Sequence, residues 1–376
     1  MTARYPGLRT TRREALALLG AGAAALACGT LPRPALAAAG PGLGALAAKA
    51  GVAFGASVAA EIERDDAYRA LYAREAAMLT TDWALNFGNI RPDRDTFAFA
   101  DGDAMLAFSR EIGAPLRGHA LIWNEDRPDW LMALSPAERR RVFDAHIDKV
   151  AARYAGKLHS WDVVNEPFWP GHGLAGGWRD GPWLEAFGHD YVARAFRRVA
   201  AVDPKAKLVL NEAHSESADE LGGEIRDNLE RLVDSLLDAG VRLDAIGLQG
   251  HLSSQLRYDW DTFGAFLERL AARGLDIYIT ELDVDDTGFA EDIDARDRET
   301  AALYGDFLKT ALAVPAVKAV ITWQLSDRYS WYRNQLLARE PGAIRLPRPL
   351  PFDAALEAKP ARDALAEAFS RRARGE

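Results

Sequence analysis

The 376-residue sequence contains a single cysteine, Cys28. One cysteine cannot form an internal disulfide or a zinc site built on cysteine pairs, so neither stabilises the fold. Basic residues are also in deficit, with 46 lysines and arginines against 55 acidic residues and a pI near 5.4. This balance argues against a surface that holds nucleic acid through counterion release. No GxGxxG or GxxxxGK[ST] phosphate-binding motif follows the apolar run Val52–Val58.

The N-terminal hydrophobic run, Ala15–Ala27, is shorter than the roughly 20 residues that span a bilayer as a helix. Arg12 and Arg13 precede this run, and the small residues Ala35–Ala37 follow it. A charged start, an apolar core and a small-residue cleavage pattern are typical of an export signal, and the paired arginines resemble the twin-arginine type. We therefore predict a signal peptide at residues 1–39 and a periplasmic or secreted protein.

Cys28 leaves a lipoprotein anchor open as an alternative, although Ala25 stands where a larger aliphatic residue is usual. Otherwise we expect no stable membrane association. Removing residues 1–39 takes away five arginines and one glutamate, which makes the formal charge of −9 more negative by four. The acidic balance therefore belongs to the remaining domain.

Eight short apolar runs alternate with amphipathic stretches from about residue 51 onward. The runs are Val52–Val58, Met78–Trp83, Pro115–Trp123, Ser160–Pro167, Leu208–Ala213, Ala245–His251, Ile277–Asp283 and Ala319–Asp327. Several are continuous and β-branched, as in strands that are covered on both faces of a parallel sheet. Eight strand–helix units in about 320 residues fit a single (β/α)8 TIM barrel, an α/β fold, over residues 40–376. A doubly wound open sheet is the alternative fold.

Polar residues close seven of these eight runs. They are Asp82, His119, Asn165 with Glu166, Asn211 with Glu212, Gln249 with His251, Glu281 with Asp283, and Gln324 with Asp327. Taken singly, each could cap the helix that follows. In a barrel, however, the carboxyl ends of the strands converge on one face, where the loops build the active site. Seven polar ends together therefore predict a site on that face.

Two of these carboxylates, Glu166 in WDVVNEPF and Glu281 in YITELDV, follow different strands. Two facing carboxyl groups can cleave a glycosidic bond when one protonates the leaving oxygen and the other attacks the anomeric carbon or activates water. Aromatic faces, those of indoles above all, suit the apolar face of a sugar ring. The aromatic candidates in or beside these segments are Trp123, Trp161, Trp323, Trp331 and Tyr329. Of these, we expect Trp161 to lie in the barrel core instead.

These motifs together resemble glycoside hydrolase family 10, the endo-β-1,4-xylanases. The matching segments are FGASV at 54, RGHALIW at 117, WDVVNEP at 161, GLQGHLS at 247, ITELDV at 279, ITWQLSDRYSW at 321 and FDAALEAKPA at 352. The resemblance implies a (β/α)8 barrel that hydrolyses β-1,4-xylan with retention of configuration, without a metal or other cofactor. Glu166 then resembles the acid/base residue and Glu281 the nucleophile, with carboxyl groups about 5 to 5.5 Å apart.

The resemblance also implies roles for neighbouring residues. His251 and Asp283 resemble the pair that holds the nucleophile Glu281 ionised and aimed, and Asn165 resembles the asparagine that contacts the sugar 2-hydroxyl. Glu166 must be protonated to act as an acid, so we expect an apolar wall and the charge of Glu281 to raise its pKa. The further substrate-binding candidates are His119, Trp123, Gln249, Trp323 and Trp331.

The second run departs from the family pattern. The family usually ends this strand in a Thr-Pro-Glu-Asn motif, with a lysine three residues beyond the asparagine, and grips there the sugar ahead of the scissile bond. In LTTDWALNF, Asp82 stands for the glutamate, Trp83 for the asparagine and Asn86 for the lysine. We keep Asp82 and Asn86 as substrate-binding candidates. Losing the lysine and its charge-assisted hydrogen bonds would cost about 1.5 to 3 kcal/mol of binding.

Three alternative functions stay open at this point. One is a family member that acts on xylo-oligosaccharides or another β-glycan, and a second is a carbohydrate-binding barrel without catalysis. A third is a metal-dependent hydrolase that uses His119, His214 and His251. In the main reading, we expect a monomer whose partner is xylan or a xylo-oligosaccharide.

Overall fold

The computed structural model describes residues 40–376, which form a closed barrel of parallel strands surrounded by helices. The barrel strands are β1 (Ala53–Val58), β2 (Met78–Thr81), β3 (Leu116–Gly118), β5 (Ser160–Asn165), β6 (Lys207–Glu212), β7 (Ala245–Leu248), β9 (Asp276–Asp285) and β10 (Val317–Thr322). The short strands β4 (Ile122–Trp123) and β8 (His251–Ser253) pair with the carboxyl ends of β5 and β9. Strand β10 pairs with both β1 and β9, which closes the ring. The predicted (β/α)8 barrel is confirmed, and the open-sheet alternative is wrong.

The helices that the structure describes lie in the connections between strands and at both ends of this region. They are α1 (Leu43–Lys49), α2 (Asp66–Glu75), α3 (Phe87–Ile90), α4 (Ala100–Ile112), α5 (Asp129–Met132), α6 (Pro136–Tyr154), α7 (Pro182–Phe187), α8 (Tyr191–Val202), α9 (Glu220–Asp238), α10 (Trp260–Ala272), α11 (Ile293–Ala313), α12 (Trp331–Arg339) and α13 (Pro360–Arg374). Side-chain oxygens of Asp219, Asp259 and Asp292 cap the first turns of α9, α10 and α11. Such caps satisfy amide groups that have no partner within the helix, and so fix where each helix begins.

The apolar core forms two layers because strand side chains alternate between the helices and the barrel axis. The outer layer lies between strands and helices and includes Leu79 on β2 and Phe266 on α10. The helices bury the apolar residues that recur every three or four positions in the sequence. In α9, for example, Ile225, Leu229 and Val233 are fully buried. A smaller cluster fills the barrel interior: Met78, Val209, Ala245, Tyr278, Ala319 and Ile321.

A buried charge pair lies between this interior cluster and the carboxyl ends of the strands. The side chains of Arg117 on β3 and Asp162 on β5 have no exposed surface and form an ion pair. Arg117 also donates from Nε to Ser160 Oγ at 3.2 Å and from Nη1 to Thr80 Oγ1 at 3.3 Å. The second oxygen of Asp162 lies 2.9 Å from Nδ1 of His119. The ion pair therefore connects the barrel interior to a predicted site residue.

The first and last helices close the amino-terminal end of the barrel. Helix α13 packs against α1 and α11, and Arg372 near its end donates to five backbone carbonyls. These are the carbonyls of Ala50, Leu312, Val314, Pro315 and Val317, at distances of 3.0 to 3.4 Å. Ala50 lies shortly before β1 and Val317 begins β10, so α13 binds the rim opposite the predicted site.

The predicted signal peptide at residues 1–39, including Cys28, lies outside the described residues. Within residues 40–376, no helix has both the length and the apolar character needed to cross a membrane.

We predict that Arg117→Met lowers the free energy of unfolding by about 3 to 5 kcal/mol, because it leaves Asp162 as an uncompensated buried charge. Chemical denaturation followed by circular dichroism measures this change. The matched control is Arg269→Met, which removes a half-exposed arginine from its ion pair with Glu230 and should cost less than about 1 kcal/mol. Equal losses in the two variants would contradict a special role for the buried pair.

Candidate active site

The carboxyl ends of β5, β6, β7 and β9 are held in register by a continuous backbone ladder. The backbone N–H of Glu166 donates to the carbonyl of Asn211 at 2.9 Å, and that of Gln249 donates to Glu212 at 3.0 Å. The N–H of Glu281 in turn donates to the carbonyl of Gln249 at 2.8 Å. Side chains at these four strand ends therefore stand at the same level of the barrel.

The carboxylate of Glu281 is held at both oxygens. Asn211 donates from Nδ2 to Oε1 at 2.7 Å, and Nε2 of His251 lies 3.2 Å from Oε2. Nδ1 of His119 lies 3.9 Å from Oε1. Only 5% of Glu281 is exposed, so this carboxylate is fixed in one orientation and opens toward the cleft by a small surface.

His251 bridges two carboxylates. Its Nδ1 lies 2.7 Å from Oδ1 of Asp283, whose Oδ2 accepts a hydrogen bond from Trp331 Nε1 at 2.7 Å. Burial opposes a charge on the imidazole, but Asp283 and Glu281 at its two nitrogens outweigh burial and raise the pKa of His251 well above its usual value. Protonated His251 can donate to both carboxylates at once. The structure thus places His251 and Asp283 beside Glu281, and their role in supporting a nucleophile stays a prediction.

Three donors surround the carboxylate of Glu166. Gln249 donates from Nε2 to Oε1 at 2.8 Å, and Trp123 donates from Nε1 to Oε2 at 3.1 Å. The guanidinium of Arg179 lies 3.0 Å from the same Oε2 and also donates from Nε to the backbone carbonyl of Glu166 at 2.8 Å. Glu166 has a φ of +48°, a conformation that non-glycine residues adopt at a cost and that is found mainly at functional sites.

The expectation that the pKa of Glu166 is raised is wrong for this structure. Burial does raise the pKa, but the positive charge of Arg179 and the hydrogen bonds from Gln249 and Trp123 outweigh burial and lower it below the usual glutamate value. An apolar wall and the charge of Glu281 would raise this pKa, but Arg179, 13 residues further along the same connection, supplies an opposing positive charge.

Glu166 and Glu281 are joined by a chain of hydrogen-bonded amides. Gln249 Nε2, which binds Glu166, also lies 3.4 Å from Oδ1 of Asn165. That same Oδ1 accepts a hydrogen bond from Asn211 at 2.8 Å, and Asn211 binds Glu281. Two carboxylates on β9 and directly after β5, one beside a histidine and the other beside three donors, have the parts needed for two-carboxylate glycoside cleavage.

The sequence profile of glycosyl hydrolase family 10 matches residues 42–368. The chain belongs to glycosyl hydrolase family 10. Endo-1,4-beta-xylanase 5 of Pyricularia oryzae is 29% identical over 325 residues, covering 85% of this chain and 76% of that protein. The crystal structure of native xylanase 10B from Thermotoga maritima superposes with a TM-score of 0.79 at 27% identity, covering 89% of this chain and 100% of the other. The crystal structure of xylanase 10B from Thermotoga petrophila in complex with xylobiose superposes with a TM-score of 0.79 at 27% identity, covering 88% of this chain and 98% of the other.

Asn211 is a site residue of this family 10 chain to which the sequence analysis assigned no role. Its Oδ1 accepts a hydrogen bond from Thr280 Oγ1 at 2.7 Å, which directs Nδ2 toward Asn165 and Glu281. A Cβ at Gly247 would lie 2.2 Å from that Oδ1, so a glycine is required beside it. The polar end of the fifth apolar run was the available signal for Asn211, but its partners depend on the register of three strands.

Arg179 is the second site residue that the sequence analysis missed. It lies between two short helical segments, in the connection that follows β5, and only 3% of its side chain is exposed. Its Nη1 forms a further ion pair with Glu125, which belongs to the connection after β4. Nothing in the local sequence distinguishes Arg179 from a surface arginine, because only the folded chain places it beside Glu166.

The structure brings some of the aromatic candidates to the two glutamates and others not. Trp323 lies with its ring centroid 5.3 Å from that of His119, and Trp331 lies 5.4 Å from His251, so both border the catalytic pair. Trp161 is fully buried, as expected for a core residue. Tyr329 packs on Tyr68 and donates to Asp65, and the structure does not bring it to the glutamates.

The altered end of β2 presents its polar groups inward. Asp82 is 2% exposed and accepts a hydrogen bond from Gln324 Nε2 at 2.9 Å, and burial raises the pKa of Asp82 to about 6. Asn86 is 4% exposed, and its Oδ1 accepts from the backbone N–H of Ala120 at 3.0 Å. Trp83 between them is 51% exposed. Recognition by Asp82 and Asn86 stays a prediction, and both already have protein partners.

The histidines of the metal-dependent alternative are held by other groups. His119 and His251 each contact an aspartate, and the ring of His214 lies 5.3 Å from that of Trp169. Within the part of the chain that the structure describes, no three or more His, Cys, Asp or Glu side chains are grouped as a metal would require.

We predict that Arg179→Met raises the pKa of Glu166, because the variant removes the cation that holds this carboxylate ionised. Because Glu166 then stays protonated to higher pH, the fall of kcat/KM on the basic side of the pH profile shifts to higher pH. The shift is roughly one pH unit for each 1.4 kcal/mol of lost ion-pair energy. The pH profile of kcat/KM for hydrolysis of a xylo-oligosaccharide, whose leaving sugar needs a proton, measures this shift.

Two controls accompany that profile. Arg179→Lys keeps a positive charge beside Glu166, so its basic limb should stay near that of the parent. Arg127→Met removes an exposed arginine from the connection after β4 and should leave the profile unchanged. An unchanged basic limb in Arg179→Met would show that the ion pair does not set the proton affinity of Glu166.

Proposed function

We propose that this family 10 enzyme is a retaining endo-β-1,4-xylanase that cleaves internal β-1,4-xylosidic bonds of xylan by double displacement. The observation that carries the proposal is the pair of glutamates, Glu166 directly after β5 and Glu281 within β9, each fixed by its own set of donors. The curated relatives at about 30% identity are named endo-1,4-beta-xylanases, which supports xylan as the substrate class.

In the first step, the ionised carboxylate of Glu281 attacks the anomeric carbon while Glu166 gives its proton to the leaving glycosidic oxygen. The C–O bond to the leaving sugar breaks, and an ester bond to Glu281 forms. Donation from Asn211 and His251 fixes both oxygens of the nucleophile, so that little reorganisation precedes attack. Asn165, whose Oδ1 is occupied by Asn211, keeps Nδ2 available for the 2-hydroxyl of the attacked sugar.

In the second step, ionised Glu166 takes a proton from water, and the resulting hydroxyl attacks the anomeric carbon to release Glu281. Two inversions at one carbon restore the original configuration. The contact with Arg179 favours the ionised Glu166 that this step requires. The same contact disfavours the protonated form that the first step requires, so the two steps place opposite demands on one side chain.

The binding partner of the site is proposed to be xylan or a xylo-oligosaccharide. A related solved structure is a complex with xylobiose, which supports sugar occupancy of this cleft. Trp323 and Trp331 beside the histidines offer indole faces to the rings of the chain. We propose a monomer that works without a cofactor.

We predict that xylan is converted to short xylo-oligosaccharides and that the new reducing ends first appear as the β anomer. Time-resolved proton NMR during hydrolysis measures the anomer before mutarotation, and chromatography measures product length. Glu281→Ala should be inactive, and Glu166→Ala should lose about 10²- to 10⁴-fold on xylan and less on an aryl glycoside whose leaving group needs no proton. A first-formed α anomer, or stronger activity on β-glucan than on xylan, would contradict the proposal.

We also propose that residues 1–39 form a twin-arginine signal peptide and that the mature domain, residues 40–376, works in the periplasm or outside the cell. The sequence pattern around Arg12 and Arg13 supports this route.

For this signal we predict that replacing Arg12 and Arg13 together by lysine prevents export, while the charge of the leader stays the same. Fractionation of a twin-arginine-competent host, with N-terminal sequencing of the exported protein, measures both the location and the cleavage site. Replacing Arg4 and Arg9 by lysine is the matched control and should leave export intact. Equal export of both double variants would exclude the twin-arginine route.

A further inference from the structure

The end of β2 presents one exposed side chain to solvent, the indole of Trp83. Among residues 40–376, Trp83 is the most exposed aromatic residue, with 51% of its surface accessible. Isolated exposed apolar residues are common on protein surfaces and by themselves indicate nothing. Trp83 differs because it follows a barrel strand on the face that carries Glu166 and Glu281.

The position of the indole is fixed relative to the proton donor. The ring centroid of Trp83 lies 6.3 Å from that of Trp123, with a tilt of 40° between the planes. Trp123 itself donates from Nε1 to Oε2 of Glu166. Trp83 is therefore separated from the acid/base residue by a single aromatic side chain, and the two indoles form one wall beside the cleavage point.

The backbone of Trp83 is held as well. Its carbonyl accepts hydrogen bonds from the N–H of Asn86 at 3.1 Å and from Nδ2 of Asn89 at 2.5 Å. A fixed backbone orders the base of the side chain before a ligand binds, which lowers the entropy cost of contact.

The neighbouring polar side chains are buried, with 2% of Asp82 and 4% of Asn86 exposed, so Trp83 is the side chain at this strand end that offers a large surface to a ligand. The carboxylate of Asp82 is buried against Gln324, and Asn86 uses its amide oxygen for Ala120. At this strand end the family pattern places hydrogen-bonding side chains toward a sugar, whereas this chain places an indole there.

We propose that Trp83 is a specificity-determining residue that stacks on the second sugar ring on the non-reducing side of the cleaved bond. The attacked ring occupies the space beside Trp123 and Glu166, and the next ring of the chain reaches the indole of Trp83. Stacking on the apolar face of a pyranose replaces directional hydrogen bonds to its hydroxyl groups. This inference rests on the proposed glycosidase function and adds one binding contact to it.

The test compares two aryl substrates that differ by one ring. An aryl β-xyloside fills only the position of the attacked sugar, and an aryl β-xylobioside adds the second ring. For Trp83→Ala, we expect the ratio of kcat/KM for the xylobioside to that for the xyloside to fall about 10-fold, which corresponds to about 1.4 kcal/mol. Trp83→Phe keeps an aromatic face and should retain most of the parent ratio.

The outcomes separate the two proposals. If the parent enzyme cleaves neither substrate nor xylan, the proposed function fails. If the parent is active and Trp83→Ala keeps the parent ratio, the stacking contact is wrong. An equal fall on both substrates would also overturn it, because Trp83 would then act through Trp123 and Glu166 rather than on the second ring. Thermal unfolding of each variant verifies that the fold is intact.

Discussion

The buried ion pair of Arg117 and Asp162 is the interaction on which the catalytic face depends. A carboxylate without exposed surface inside a barrel requires a compensating charge, and Arg117 supplies it from the neighbouring strand. Asp162 then orients His119, whose pKa is raised because Glu281 and Asp162 outweigh the opposing effect of burial. Charge thus alternates from the interior to the cleft, and Glu281 stands at the end of that series.

The two glutamates lie in different electrostatic surroundings. Glu281 is surrounded by histidines and an amide that belong to barrel strands or their immediate ends. Glu166 receives its cation from Arg179, in a connection that also binds Glu125 of another loop. The barrel therefore fixes Glu281, whereas loop packing governs the proton affinity of Glu166. Changes in loop sequence can adjust the second property while the first stays constant.

Much of the fold could be predicted from the sequence because hydrophobic periodicity and polar strand ends act locally. Glu166 and Glu281 were identifiable because each follows a buried run, and the family motifs assigned their roles. Arg179 was not identifiable, since its contact spans 13 residues of irregular chain and depends on tertiary packing. Asn86 illustrates the same limit: its carbonyl oxygen turns inward because the buried N–H of Ala120 needs an acceptor, a demand that only the folded backbone creates.

Helix α13 holds together the end of the barrel that lies opposite the glutamates. Arg372 ties the end of this helix to carbonyls just before β1 and at the start of β10, on the rim that faces away from the glutamates. Arg362 in the same helix also donates to the carbonyl of Pro41 at 3.0 Å, so residues from both ends of the described region meet there. The contacts between the two ends of the described region and the candidate site therefore lie at opposite poles of the barrel. A polymer surface, a resin or a partner module could be tethered at that pole while long glycan chains still thread through the cleft.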